Sequence, residues 1–220
     1  MTRIAVIIGS TRPGRRGPMV AEWVYKLASQ RTDATVDLID LADYDLPHLD
    51  EQVPAAMGSD YAKQHTRRWS ETIAAYDGYV FVTPEYNHAI PGVLKNAIDF
   101  LYAGWRNKSA GFVGYGLLGA TRAVEQLRLI MAELHIADVR DQIALSVFTD
   151  FIDGADFAPA EHHEPVLRRM LDQIITWADA LAPLRADVRS QTRPPDHRPG
   201  HADGAQDRRT KPFCSRGILE

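Results

Sequence analysis

Cysteine is almost missing from this chain: Cys214 is the single one in 220 residues. One thiol excludes an internal disulfide, and a reducing, cytoplasmic setting is the simplest expectation. Long apolar runs are missing too. No stretch approaches the roughly 18 apolar residues of a membrane-spanning helix. The start, one arginine and then a five-residue apolar run, is not expected to act as a signal peptide. Neither sign of charge dominates: 25 Lys and Arg against 29 Asp and Glu leave −4, so nothing points to nucleic acid as a partner. No internal repeat is visible. What is present is 45% hydrophobic residues, over a length that supports one domain with a good core.

Those residues follow an alternating pattern. Short apolar runs at about 3–8, 35–40, 78–83, 109–115 and within 141–148 read as strands. Amphipathic stretches at about 18–30, 61–76, from Pro91 onward, 121–135 and 159–181 read as helices. This alternation predicts a five-stranded parallel sheet with helices on both faces, in strand order 2-1-3-4-5. The run at 78–83, Gly-Tyr-Val-Phe-Val-Thr, is nearly all apolar, as a central parallel strand should be. A polar, proline-containing excursion occupies residues 43–60. Beyond Arg185 the composition changes: Pro194, Pro195, Pro199, Gly200 and Gly204 stand among few apolar residues. Residues 1–185 are therefore expected to form the domain and residues 186–220 a flexible tail that carries Cys214 as an incidental thiol.

The first strand runs into Gly9-Ser10-Thr11-Arg12-Pro13-Gly14-Arg15-Arg16-Gly17-Pro18. A glycine-rich turn between strand and helix offers free backbone N–H groups and the positive end of a helix to an anion. The hydroxyl of Ser10 and the guanidinium groups of Arg12, Arg15 and Arg16 suit phosphate. Gly9 and Gly14 have the spacing of a nucleotide P-loop, but Arg15 and Arg16 replace its lysine and magnesium-binding hydroxyl. Thr11 breaks the dinucleotide fingerprint. A cradle for a single phosphate remains.

In a sheet of this order, ligands bind where the strand order reverses, between strands one and three. The loop after strand three, Thr83-Pro84-Glu85-Tyr86-Asn87-His88, combines a rigid turn, an aromatic ring and an amide, which a flat heterocycle requires. The loop after strand four, Gly114-Tyr115-Gly116-Leu117-Leu118-Gly119-Ala120, has small residues that let backbone approach a planar ligand.

Four segments then occur in order: Gly9-Ser10-Thr11-Arg12, Pro84-Glu85-Tyr86-Asn87, Pro91-Gly92-Val93-Leu94-Lys95-Asn96-Ala97-Ile98-Asp99, and Gly119-Ala120-Thr121-Arg122-Ala123-Val124-Glu125-Gln126-Leu127-Arg128. Through them the chain resembles the NADPH-dependent FMN reductase family, over about residues 3–182. The family's usual Gly-Gly is Gly119-Ala120 here. The resemblance implies a flavodoxin-like three-layer sandwich and bound FMN. The phosphate would lie on Ser10, Arg12, Arg15 and Gly17, with Arg16 beside them. The isoalloxazine would lie against Pro84, Glu85, Tyr86 and Asn87, with Tyr115 and Gly116 on the strand-four loop. Tyr86 is expected to be the aromatic wall and Asn87 to read the polar edge, leaving the phosphate cradle independent of both. NADPH or NADH would supply hydride to the flavin, which would reduce a flavin, quinone, azo or metal-oxyanion acceptor. No side chain is expected to act as an acid–base catalyst. The resemblance also implies a homodimer or homotetramer in which a neighbour helps to cover the flavin.

The rival reading is a non-enzymatic flavodoxin-type electron carrier. Its strongly acidic docking face is not matched by a charge of −4. His162, His163 and Glu161 have the composition of metal ligands, but adjacency at a helix start makes their side chains diverge, so a solvated helix end is expected and no metal. Asp153, Asp156, Glu161 and Glu164 read as a solvated loop and helix start. Val93, Leu94, Ala97, Ile98 and Leu101 in helix three, with Val124, Leu127, Leu129, Ile130, Met131 and Leu134 in helix four, predict a second buried surface between subunits.

Overall fold

In the computed structural model, residues 1–153 and 156–191 are described. Strands β1 (Thr2–Ile8), β2 (Ala34–Asp40), β3 (Gly78–Pro84), β4 (Ser109–Gly116) and β5 (Ala137–Ser146) form one parallel sheet in the order β2-β1-β3-β4-β5. Helices α1 (Gly17–Ala28) and α5 (His163–Gln191) pack on one face. Helices α2 (Gln64–Ala74), α3 (Gly92–Asp99) and α4 (Thr121–Glu133) pack on the other. The three layers and the strand order are those expected.

Successive side chains of a strand point to opposite faces, and this divides the core in two. Ile4, Val6 and Ile8 of β1, with Val80 and Val82 of β3, meet Val20 and Val24 of α1 and Leu167 and Ile174 of α5. Ala5 and Ile7, with Tyr79 and Phe81, meet Trp69, Leu94, Leu127 and Met131. The indole N–H of Trp69 donates to the Ala97 carbonyl at 2.7 Å, and that of Trp105 to Ile98 at 3.1 Å, so both buried rings keep their polar atoms paired.

Three details depart from the sequence reading. Strand β5 starts at Ala137, because its first half is a polar edge segment that lacks an apolar run. Helix α5 continues through Pro183 to Gln191, so it includes residues 186–191. Arg185 anchors this end, pairing with Asp77 at 3.0 Å and donating to the carbonyls of Asn107 at 3.0 Å and Ala178 at 2.8 Å. The expected tail from residue 192, with Cys214, lies outside the described residues. A short antiparallel pair, β6 (Phe151–Ile152) and β7 (Asp156–Phe157), also follows β5.

Candidate functional site

The carboxyl ends of β1, β3 and β4 meet around one cavity. After β1 the chain turns through Gly14, whose φ of +68° suits glycine, into α1. Arg16 is the N-cap of α1, no side chain caps it, and its first turn has no acidic residue. The N–H groups of that turn therefore lack a side-chain acceptor. Gly17 is buried there, and a Cβ on it would stand 3.0 Å from both Ile8 Cγ2 and the Tyr115 hydroxyl. That hydroxyl is buried and, among the described residues, has no hydrogen-bond partner. Burial and the neighbouring Tyr86 raise its pKa; the positive charges of Arg15 and Arg12 and the backbone N–H of Gly17 act against the rise. A buried hydroxyl without a partner beside an uncapped helix N-terminus is the environment an anion completes.

The three arginines line one end of a cavity of about 400 Å³. They are not equivalent. Arg15 donates to the Ser10 carbonyl at 2.8 Å and to the Asp40 carboxylate at 2.5 Å, so it braces the loop against the end of β2. Arg12 makes longer bonds within its own loop, to Pro13 at 3.1 Å and Gly14 at 3.4 Å. The guanidinium of Arg16 lies 5.2 Å from the Phe151 ring centre. Ser10 is fully buried behind them.

Pro84, Glu85, Tyr86, Tyr115 and Gly116 form the remaining wall, and Leu117 and Val147 complete it. Two placements differ from expectation. The Tyr86 hydroxyl reaches the phosphate end, 2.8 Å from Ser10 Oγ and 3.3 Å from Arg12 Nε. The ring loop and the phosphate loop are therefore joined, not independent. Asn87 turns away from the cavity. Asn87 and His88 have φ of 51° and 76° and form a two-residue turn between Tyr86 and Ala89, which exchange bonds of 2.9 and 3.1 Å. Asn87 and His88 instead line an adjoining cavity of about 480 Å³ with Arg122.

Glu85 faces the start of α4. Its carboxylate accepts from Arg122 Nε at 2.7 Å, from a second Arg122 nitrogen, and from the Ala123 N–H at 3.4 Å. Burial pushes its pKa up, but the Arg122 and Ala123 donors outweigh this and leave it below the usual range. Ala120, the N-cap of α4, takes φ of 54°. Alanine therefore keeps the left-handed backbone that the family's glycine would adopt freely, at about 1 kcal/mol.

Val147 donates its N–H to the Gly116 carbonyl at 3.0 Å, and the turn that follows it is held by a cluster that sequence reasoning missed. Asp150, nearly fully buried, accepts from Ser146 N–H at 2.9 Å, Ala160 N–H at 3.0 Å and the Thr149 hydroxyl at 2.8 Å, and bonds His163 Nε2 at 2.9 Å. His163 is accordingly buried and not a solvated helix end, because the buried carboxylate requires donors from α5. Burial lowers the His163 pKa against the pull of Asp150. No group of three or more His, Cys, Asp or Glu among the described residues could hold a metal. Lys108, though buried, sits at the opposite end of the sheet, donating to the Ile73 carbonyl and the Tyr79 hydroxyl.

An open parallel sheet with an anion cradle after β1 and a walled cavity after β3 and β4 defines a flavodoxin-like, mononucleotide-binding protein. Residues 2–150 match the family described as NADPH-dependent FMN reductase, and the chain belongs to that family. An NAD(P)H-dependent FMN reductase of Nectria sp is 38% identical over 159 residues, covering 68% of this chain and 79% of the relative. A 2-hydroxy-1,4-benzoquinone reductase of Burkholderia sp is 29% identical over 184 residues, covering 80% and 95%. Among solved structures, the flavoenzyme NAD(P)H:(acceptor) oxidoreductase of Paracoccus denitrificans superposes with a TM-score of 0.63 at 24% identity, over 82% of this chain and 98% of that one. The chain is an FMN-dependent oxidoreductase with NAD(P)H as hydride donor, and the electron-carrier reading gives way to it.

Proposed function

We propose that this protein holds FMN with its phosphate at the start of α1 and its ring along the loop 84–86, and that it reduces flat, apolar acceptors such as quinones or free flavin. The observation that carries the placement is the buried, unpartnered Tyr115 hydroxyl beside Gly17 and the uncapped end of α1. Ser10, Arg12 and Arg16 add donors on the same side. Arg15 acts from behind, by fixing the loop. Bound FMN supplies a centre that takes hydride from NAD(P)H and passes reducing equivalents to an acceptor. The chain's own residues bind, orient and exclude water. Pro84 and Gly116 bring backbone close to the ring, and Tyr86 closes the wall. No side chain is required to move a proton.

The acceptor class follows from the rim. Leu117 lines the cavity and is 65% exposed; Phe148, next to Val147, is 76% exposed. An apolar rim favours a planar aromatic acceptor over a metal oxyanion or a charged azo dye. The Burkholderia relative's quinone activity supports this choice. A homodimer and a cytoplasmic setting belong to the same proposal: the first rests on the exposed Val93 and Leu129 of α3 and α4 with Val53 and Met57 of the excursion beside them, the second on the single cysteine. No helix among the described residues is long and apolar enough to cross a membrane. The test is the absorbance spectrum of the purified protein, with NADPH and then NADH added. A flavin spectrum bleached by either nucleotide, and restored faster by a benzoquinone than by chromate, is expected. A flavin-free protein that also fails to take up added FMN would overturn the placement.

A further inference from the structure

We propose that the Tyr86 hydroxyl selects the phosphorylated flavin over riboflavin, by forming with Ser10 a hydroxyl pair that gives one hydrogen bond to the phosphate. The inference rests on the FMN reading above and assigns Tyr86 a role at the opposite end of the cavity from the ring it was expected to flank.

The count of donors in this group carries it. An arginine Nε only donates, so the Tyr86 oxygen accepts from Arg12 at 3.3 Å. The phenol oxygen and Ser10 Oγ lie 2.8 Å apart, and whichever of the two donates, one O–H of the pair stays free for a further acceptor. The Ser10 backbone is fixed, since the Ser10 carbonyl accepts from Arg15 at 2.8 Å and the residue is fully buried. The result is a guanidinium joined to a pair of hydroxyls with one O–H left to give, each link polarising the next. Such a chain ends on an acceptor of negative charge. The Tyr115 hydroxyl, also without a partner, stands at the neighbouring Gly17. Riboflavin has no phosphate to receive the free O–H of this pair, whose Ser10 member is fully buried, whereas FMN satisfies it. The aromatic ring of Tyr86 is a separate matter: it lines the cavity and is retained by phenylalanine. Tyr86 thus acts through its hydroxyl, as one half of the pair with Ser10.

Tyr86→Phe, Ser10→Ala and the double variant separate these roles. Affinities of the apoproteins for FMN and for riboflavin are read from quenching of flavin fluorescence. Tyr86→Phe is expected to weaken FMN at least about tenfold, the usual size for a bond to a charged group, and to leave riboflavin within about twofold. Retained riboflavin binding also shows that the variant folds. Ser10→Ala is expected to weaken FMN clearly in the wild-type background and much less in the Tyr86→Phe background, because the two act as one unit. Unchanged or tighter FMN binding by Tyr86→Phe overturns the proposal, as does an equal loss for both flavins, which would make Tyr86 a packing residue. A wild-type protein that binds neither flavin overturns the cofactor reading itself.

Discussion

Tyr115 is held with a hydroxyl that an anion at the start of α1 would satisfy. Its hydroxyl is buried without a partner, and an unsatisfied buried hydroxyl costs about 1–3 kcal/mol. Tyr115→Phe should therefore raise the stability of the apoprotein, by about 1 kcal/mol, while lowering its affinity for FMN. Denaturant unfolding with and without FMN checks both signs; a variant less stable than wild type would show that the hydroxyl is already satisfied. The arginines divide in the same way. Arg15 spans Ser10 and Asp40 with both side chains largely buried, so Arg15→Ala should reduce apoprotein stability by about 1–3 kcal/mol as well as FMN affinity. Among the described residues the Arg16 side chain has a ring contact with Phe151 and no ion pair, so Arg16→Ala should reduce affinity alone. Equal unfolding midpoints for the two apo variants would remove the distinction.

At the scale of elements, the loop after β3 is fixed to the start of α4 by one carboxylate. Glu85 is held below the usual glutamate range, burial opposing and the Arg122 and Ala123 donors prevailing. A carboxylate whose folded pKa is lowered adds stability above its unfolded pKa and loses it as pH falls through the folded value. Glu85→Gln should accordingly cost about 1–2 kcal/mol at pH 7, and the gap to wild type should shrink from about pH 4.5 downward. Unfolding curves between pH 7 and pH 3 decide this, and a gap that stays constant with pH would exclude the ionised carboxylate as its source. The elements themselves were legible in the sequence where physics writes them locally. Central parallel strands are apolar on both faces, and a strand-to-helix turn that approaches an anion needs glycine, so β1, β3 and the loop 9–17 stood out. The polar edge half of β5 and the end of α5 did not, because cross-strand pairing and the long-range grip of Arg185 on Asp77 hold them. The reach of Tyr86 to Ser10 and of His163 to Asp150 is equally invisible in sequence spacing, since each joins side chains from elements that meet only in the folded chain.

At the scale of the whole molecule, the open question is what covers the outer face of α3 and α4. Most of the apolar residues that pointed to a second surface are buried in the chain's own core: Leu94, Ala97, Ile98, Leu101, Val124, Leu127, Met131 and Leu134. Val93 and Leu129 remain, 42% and 75% exposed, with Ile130 half-buried. The excursion between β2 and α2 adds to them. Leu49, Pro54 and Ala55 border a groove of about 380 Å³ with Ile98, Ile130 and Leu134, and the adjoining Val53 and Met57 are 59% and 79% exposed. Exposed apolar residues grouped around a groove favour association, and a twofold dimer buries the same patch on both copies. Light scattering at micromolar concentration is expected to give about twice the monomer mass of 24.6 kDa. Val53→Asp with Met57→Asp, which touches no core residue, should shift the protein toward the monomer and leave the flavin spectrum in place. A monomeric wild type would reduce this face to a surface groove, and a dimer indifferent to both substitutions would move the contact to another face.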